Sequence, residues 1–124
     1  MNLQIEIEEL YARETKEFGK EYSSAFERFK AALDDGSVRA AEPDASSPSG
    51  WRVNGWVKKG ILLGFRIGSV IKMHPAAGER LSLVPDRSEL ENQFRDKHTY
   101  PLKRLPEGQN IRVVPGGSSI RDGC

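Results

Sequence analysis

Residues 51–67 of this chain read WRVNGWVKKGILLGFRI, and they contain an unusually apolar helical pattern. Asn54 is a suitable N-cap, so we expect a helix to begin at Gly55. This helix has no wide polar face, which is typical of a buried central helix. Residues 51–53, at the start of this stretch, alternate apolar and polar and predict a short strand. Trp51 and Trp56 are expected to be core aromatics.

Two further helices are predicted upstream of this stretch, and both are expected to pack against it. Apolar residues recur at helical spacing in two groups, Leu3, Ile7 and Leu10, then Phe26, Phe29 and Leu33. Ser23 or Ser24 would begin the second helix, because Glu27 completes a capping-box pattern with Ser24. Asp35 and Gly36 would end it, since glycine readily adopts the left-handed conformation just beyond a helix C-terminus.

The segment after these helices is predicted to be a connector with one β-hairpin. Two β-prone runs, residues 70–73 and 80–84, flank a turn-forming Pro-Ala-Ala-Gly sequence and should pair. One or two helical turns are then expected to reach Arg95. Residues 99–110 contain two prolines and a glycine, so we expect them to form an irregular connection.

The last segment, residues 111–124, shows a six-residue period. Val114 and Ile120 are aliphatic and six apart, as are the small residues Ser118 and Cys124. This period is typical of a left-handed β-helix, in which each flat face points one aliphatic side chain inward. A coil needs three such faces and stable stacking needs several coils. We therefore expect this chain to be the N-terminal piece of a longer protein.

The predicted fold class is α+β, in three parts. A mainly α-helical N-terminal domain is expected over residues 1–68, and the hairpin and irregular connector over residues 69–110. Residues 111–124 would form the first strand or strands of a left-handed parallel β-helix of hexapeptide repeats. Cys124 would then be an inward-facing small residue at a corner of that helix.

The composition excludes several functional classes. With 37% hydrophobic and 30% charged residues, the chain is typical of a globular protein. It contains no apolar run of about 18 residues and no signal-peptide pattern, so we expect no membrane partner and a cytoplasmic location. The single cysteine excludes an internal disulfide, and His74 and His98 lack metal-site spacing. No metal or resident cofactor is expected.

Charge is divided unevenly along the chain. Residues 1–44 carry 6 Lys/Arg against 11 Asp/Glu, whereas residues 45–124 carry 13 against 7. Such a division can indicate a nucleic-acid partner, and residues 51–104 would then form the binding module. The basic residues are scattered instead of clustered in a run, so two structural units with opposite solvated faces are favoured. We expect no nucleic acid as partner.

Three stretches carry a resemblance to a known family: residues 33–42 (LDDGSVRAAE), residues 51–67 and residues 111–115 (IRVVP). They resemble the N-terminal region of the tetrahydrodipicolinate N-succinyltransferase family. The family's pattern at the stretch that corresponds to residues 51–67 reads W-x-V-x-x-W-[LV]-K-K-x-[IV]-L-L-x-F-R-I. The resemblance implies a helical N-terminal domain followed by a left-handed β-helix that assembles as a homotrimer. It also implies transfer of succinyl from the co-substrate succinyl-CoA to a small dicarboxylate, tetrahydrodipicolinate, in diaminopimelate and lysine biosynthesis.

The resemblance also implies one site residue, Arg112. The family's matching arginine binds the carboxylate of the substrate, and a guanidinium can hold a carboxylate through two parallel hydrogen bonds. The family's catalytic residues lie on the β-helix, downstream of Cys124. We therefore expect no catalytic residue in this chain and no activity of the chain alone. The competing hypothesis is that Arg112 lies on the outer face of a first strand and pairs with a carboxylate.

A non-enzymatic function is also compatible with the sequence. The chain could be a helical adaptor, with residues 1–67 as an interaction bundle and the last fourteen residues as a flexible tail. This hypothesis explains the helices without requiring a missing half of the protein.

The charged residues of the helical region are expected to have mainly structural roles. Lys58 and Lys59 could attract a phosphate of coenzyme A, but solvated or bridging lysines are favoured. Arg39 and Glu42 are expected to make structural ion pairs. The Asp34-Asp35 pair is expected to mark a helix terminus and not a catalytic dyad.

Overall fold

The computed structural model describes residues 2–72, 95–113 and 119–124. These residues form three helices, α1 (Leu3–Ala12), α2 (Lys20–Asp34) and α3 (Gly55–Ile67). They also form four short strands, β1 (Ala41–Pro43), β2 (Trp51–Val53), β3 (Val70–Lys72) and β4 (Arg95–Lys97). Strand β1 pairs with β2, and β3 pairs with β4, in two separate antiparallel sheets. The helical N-terminal region is thus as predicted.

The core lies where α3 packs against both α1 and α2, as the sequence predicted. Its buried apolar residues are Ile7, Leu10, Tyr22, Ala25, Phe26, Phe29, Val57, Leu63 and Tyr100. Two glycines of α3 allow α2 to approach closely. A Cβ atom on Gly60 would lie 2.5 Å from the Phe29 ring, and one on Gly64 would collide with the Phe26 ring.

Helix α3 is not buried on all sides, so that prediction is wrong. Leu62 is 42% exposed and Phe65 is 38% exposed. The physical reason is that α1 and α2 cover only one side of α3, and apolar residues on the opposite side remain in contact with solvent. Trp51 is also not a core residue, because it lies on the two-stranded sheet with 55% of its surface exposed. Trp56 is partly buried, with its ring centroid 5.9 Å from that of Phe29.

Helix α2 begins upstream of the predicted serine caps, at Lys20 with Gly19 as its N-cap. Ser23 lies inside the helix, where its hydroxyl donates to the Lys20 carbonyl at 3.1 Å. The first turn extends further upstream because Tyr22 is buried in the core, and this packing outweighs the local capping pattern. The C-terminus is as predicted, with Gly36 at φ 79° just beyond it.

The β1–β2 sheet follows α2 and leads into α3. Glu42 is opposite Arg52 in the register, and their side chains form an ion pair at 2.8 Å. Asn54 is the N-cap residue of α3, as predicted, but its side-chain amide donates to Glu42 and to the Arg39 carbonyl instead of accepting from the helix. Hydrogen bonds from Asn54 and Arg52 lower the pKa of Glu42 below its usual 4.5. The predicted ion pair of Glu42 therefore exists, with Arg52 as its partner.

The second sheet contains the first run of the predicted hairpin and a strand that was not predicted. Val70 pairs with Lys97 and Lys72 pairs with Arg95, so the first predicted run is a strand. The expected partner run, residues 80–84, lies outside the described residues. Arg95 lies in β4 and not in a helical turn, so that prediction is wrong at this residue.

The described C-terminal residues are largely irregular. Residues 99–110 contain turns and one isolated bridge position, which agrees with the predicted irregular connection. Leu102 forms this antiparallel bridge with Arg121. Residues 111–113 and 119–124 contain no β-helix coil. The last six residues instead return antiparallel to residues 101–103 and lie against the end of α2.

Candidate functional site around Arg112

Arg112 lies in the irregular segment that precedes the bridge. Its side chain is exposed, and residues 106–113 are exposed throughout. Within the described part of the chain, its guanidinium has no ion pair or hydrogen bond. The hypothesis of an arginine paired with a nearby carboxylate therefore finds no support among these residues. An unpaired, exposed guanidinium is chemically suited to bind an anionic group bidentately.

A group of side chains and backbone atoms at the end of α2 holds Lys103 and the last residues of the chain in place. We call Asp34, Lys103, Gly123 and Cys124 the Asp34 cluster. The Asp34 carboxylate accepts from Lys103 Nζ at 2.6 Å and from the Gly123 N–H at 2.9 Å. Lys103 Nζ also donates to the Cys124 carbonyl at 2.7 Å. Residues 119–124 are consequently anchored, which counts against the flexible tail of the adaptor hypothesis.

Arg121 provides a second attachment of the same segment. Its guanidinium forms an ion pair with Asp96 and lies 5.9 Å from the centroid of the Phe65 ring. Both partners belong to elements already described, Asp96 to β4 and Phe65 to α3. The C-terminal segment therefore contacts the ends of α2 and α3 and the edge of the second sheet.

The turn at Thr99 and Tyr100 fixes the start of the segment. Thr99 Oγ1 donates to the Gly64 carbonyl at 2.8 Å, and Tyr100 Oη donates to the Ile61 carbonyl at 2.6 Å. Lys30, which is almost fully buried, donates to the Thr99 carbonyl at 3.0 Å. Burial raises the pKa of Tyr100 to about 12. These bonds attach the turn to α2 and α3 at once.

A cleft of about 290 Å³ lies between the first turns of α2 and the turn at residues 98–99. Phe18 and Ile67 contribute apolar walls, and Tyr22 and His98 also line it. His98 Nδ1 accepts a hydrogen bond from the Ser69 N–H at 3.0 Å, so this nitrogen has a structural role. Tyr22 Oη is buried and has no hydrogen-bond partner within the described residues. The cleft does not include Arg112.

The lysine pair and two further residues that the sequence analysis named can now be considered. Lys59 bridges α3 to α1 through Glu8 at 3.2 Å, as favoured from the sequence, and Lys58 is exposed. Cys124 is exposed. The described residues form no β-helix corner, so its predicted inward orientation stays a prediction. His74 lies outside the described residues.

Metal-binding clusters and membrane-spanning helices are absent from residues 2–72, 95–113 and 119–124. This part of the chain contains no group of three or more His, Cys, Asp or Glu that could hold a metal ion. None of its helices has both the length and the apolar character required to cross a membrane.

The uneven charge is used for internal contacts. Among the described residues, four ion pairs each join a carboxylate of residues 1–44 to a cation of residues 45–124: Glu8–Lys59, Asp34–Lys103, Glu42–Arg52 and Asp44–Arg52. The acidic first part and the basic second part are therefore partly complementary to each other.

The Asp34 cluster is the feature that sequence reasoning missed. The local sequence pattern indicates only a helix terminus at Asp34 and gives no signal at Lys103. No local pattern could have revealed their contact, because the two residues are remote in sequence and meet only when the C-terminal segment returns to α2.

Comparison with known proteins identifies the family. A family model described as "Tetrahydrodipicolinate N-succinyltransferase N-terminal" matches residues 2–67, which is more than half of the chain. The chain therefore belongs to this family, and the resemblance found in the sequence is confirmed. The matched residues include α1, α2, α3 and the β1–β2 sheet.

Three curated relatives are each named 2,3,4,5-tetrahydropyridine-2,6-dicarboxylate N-succinyltransferase. The protein of Granulibacter bethesdensis is 49% identical over 96 residues, which cover 77% of this chain and 30% of the relative. The protein of Rhodopseudomonas palustris is 40% identical over 88 residues, which cover 68% of this chain and 26% of the relative. The protein of Xylella fastidiosa is 32% identical over 91 residues, which cover 72% of this chain and 28% of the relative. The chain thus spans between a quarter and a third of the length of these relatives.

Proposed function

We propose that this chain is the N-terminal part of a tetrahydrodipicolinate N-succinyltransferase. The observation that carries the proposal is the family match over residues 2–67, because those residues build the folded helical core. The reaction is transfer of succinyl from succinyl-CoA to the amino group of the ring-opened substrate, in diaminopimelate and lysine biosynthesis. No resident cofactor takes part, since succinyl-CoA is a co-substrate.

The intact protein is proposed to continue as a left-handed β-helix and to form a cytoplasmic homotrimer. The six-residue period at residues 114–124 supports the β-helix, and the resemblance supports the trimer. The three-part division at residues 68 and 110 remains part of this proposal. The catalytic groups then lie on the β-helix, and the chain alone is inactive.

The chemistry defines what the N-terminal part has to contribute. The substrate amine attacks the thioester carbonyl, a C–N bond forms, the C–S bond breaks, and the amine proton is lost as coenzyme A leaves as a thiol. The substrate carries two carboxylates, so a fixed cation is required to orient it for attack. Arg112 is proposed to be that cation, because its guanidinium is exposed and unpaired among the described residues.

The test is the steady-state kinetics of the intact protein with Arg112→Ala. Loss of a charge-assisted hydrogen-bonded contact costs about 1.5–3 kcal/mol, so the Michaelis constant for the dicarboxylate should rise by about 10- to 100-fold. The Michaelis constant for succinyl-CoA should stay the same. Arg104→Ala is the matched control, because Arg104 is also exposed on this segment.

An unchanged Michaelis constant for the dicarboxylate in Arg112→Ala would remove the proposed role of this residue. An equal rise in Arg104→Ala would mean that the effect reflects the general positive charge of the segment. Either result would contradict the specific assignment of Arg112.

A further inference from the structure

The β1–β2 sheet has one face that is entirely apolar and exposed. Successive residues of a strand point to opposite faces, and the register places Ala41 opposite Val53 and Pro43 opposite Trp51. We call these four residues the β1–β2 face. All four are exposed, Trp51 to 55% and Val53 to 78%. Within the described part of the chain, none of them belongs to the hydrophobic core or to the residues packed against it.

The opposite face of the same sheet is polar and makes its contacts within the sheet. Glu42 accepts from Arg52 and from the Asn54 amide, each at 2.8 Å, and Arg52 also lies 4.0 Å from Asp44. The sheet is therefore amphipathic, with its polar side satisfied and its apolar side in water. A two-stranded sheet gains stability when its hydrophobic face packs against another element.

The β1–β2 face is held in a fixed place relative to the core. Strand β2 leads directly into α3, and the Asn54 N–H donates to the Ala40 carbonyl at 2.8 Å. The Asn54 amide also donates to the Arg39 carbonyl at 2.7 Å. An apolar surface that is fixed in advance loses little conformational entropy when a partner covers it.

The small size of the face favours a partner in the same polypeptide. Stable interfaces between separate proteins bury roughly 1,200–2,000 Å² and involve about 20–30 residues on each side. Four residues are far fewer, so a second copy bound through this face alone would not form a stable dimer. A tethered partner needs less area, because a short tether gives it an effective concentration of about millimolar.

The course of the chain places such a tether near the face. Cys124 is held at the end of α2, where its carbonyl accepts from Lys103 Nζ, which also donates to Asp34. Strand β1 begins seven residues after Asp34, a stretch that spans at most about 25 Å. The chain corresponds to 26–30% of the length of the relatives from Rhodopseudomonas palustris and Granulibacter bethesdensis. A polypeptide that continues from Cys124 would thus start close to the β1–β2 face.

We infer that the β1–β2 face is an interface with the part of the intact protein that follows Cys124. An apolar surface of that part covers Trp51 and Val53. The flat faces of the proposed β-helix are suited to this contact, because two sheets pack face to face through apolar side chains. The inference rests on the proposed function, since it requires the continuation of the chain as a β-helix.

The first arm of the test compares thiol labelling of Val53→Cys in the 124-residue chain and in the intact protein. The label is measured by mass spectrometry on the peptide that contains residue 53. Labelling should be slower in the intact protein by about tenfold or more, since burial of a side chain of this size is worth at least that factor. Val70→Cys is the matched control, because Val70 is 60% exposed on the second sheet and should react equally fast in both proteins.

The second arm measures thermal stability. Val53→Lys should leave the Tm of the 124-residue chain unchanged, because Val53 is exposed there. In the intact protein, the same substitution should lower the Tm by about 2–4 °C or more, since a lysine charge would be buried against an apolar surface. Val70→Lys should leave the Tm of both proteins unchanged.

The outcomes that overturn the inference are distinct. Equal labelling of Val53→Cys in the chain and in the intact protein would show that the β1–β2 face stays uncovered. Equal slowing at residue 70 would mean that the protection is not specific to this face. Slow labelling of the chain alone that becomes faster on dilution would assign the face to a second copy. If the intact protein transfers no succinyl group, the proposed function fails, while the labelling still decides whether the face is covered.

Discussion

Two core tyrosines illustrate how single polar atoms affect this fold. Tyr100 Oη donates to the Ile61 carbonyl at 2.6 Å, whereas Tyr22 Oη is buried with no hydrogen-bond partner among the described residues. A buried hydroxyl without a partner has lost its water and gained nothing in return. The two rings are similarly buried, at 7% and 2% exposure, so they form a natural pair for comparison.

Removing these two hydroxyls should have different effects on stability. Tyr100→Phe should lower the free energy of unfolding by about 1 kcal/mol, because it deletes a made hydrogen bond. Tyr22→Phe should leave the free energy of unfolding unchanged or raise it. Urea denaturation of the 124-residue chain measures both. If Tyr22→Phe lowered the free energy of unfolding as much as Tyr100→Phe does, Tyr22 Oη would have a hydrogen-bond partner, which would contradict this prediction.

At the scale of elements, the closest contact is between α2 and α3. Gly60 faces the Phe29 ring, and Gly64 faces the Phe26 ring and the Tyr100 hydroxyl. Both phenylalanines are fully buried, so their rings have little room to move. The two glycines are therefore required by packing and not by backbone conformation.

Gly60→Ala tests this contact. The added methyl would overlap the Phe29 ring, and overpacking costs about 1–3 kcal/mol, partly offset by the better helix propensity of alanine. A net loss of about 1–2 kcal/mol in the free energy of unfolding is expected from urea denaturation. Gly55→Ala is the control, because no atom lies within 4 Å of a Cβ at that position in the same helix. Equal stability of the two variants would contradict the close packing.

The sequence predicted those elements whose signals are local. The apolar spacing in α1, α2 and α3 and the glycine after α2 were sufficient to place the three helices. The sequence-based prediction failed where contacts with distant residues determine the structure. One example is Tyr22, whose burial in the core moves the start of α2 upstream of Ser23. The partner of β3 was missed for the same reason, since β4 is remote in sequence.

At the scale of the whole molecule, ion pairs connect the acidic first part to the basic second part. Glu8–Lys59 joins α1 to α3, and Asp34–Lys103 joins α2 to the C-terminal segment. The sequence showed the charge difference but could not show which charges meet. Arg112 is indicated only by the resemblance to the family, whereas the contact between Asp34 and Lys103 becomes visible only in three dimensions.

The family match and the Asp34 cluster together describe a helical unit to which the C-terminal segment is attached. The family assignment rests on residues 2–67. The C-terminal segment is outside that match, yet it is fastened to the matched helices through Asp34 and Lys103. The helical unit folds around α3, and Asp34 at the end of α2 holds Lys103 and Gly123 against it.

Thiol release from succinyl-CoA in the presence of tetrahydrodipicolinate is the most direct measurement of the proposed function. The intact protein should release coenzyme A only when both substrates are present, and the 124-residue chain alone should release none. Turnover by the chain alone would contradict the placement of the catalytic groups outside it. No turnover by the folded intact protein would contradict the succinyltransferase assignment itself.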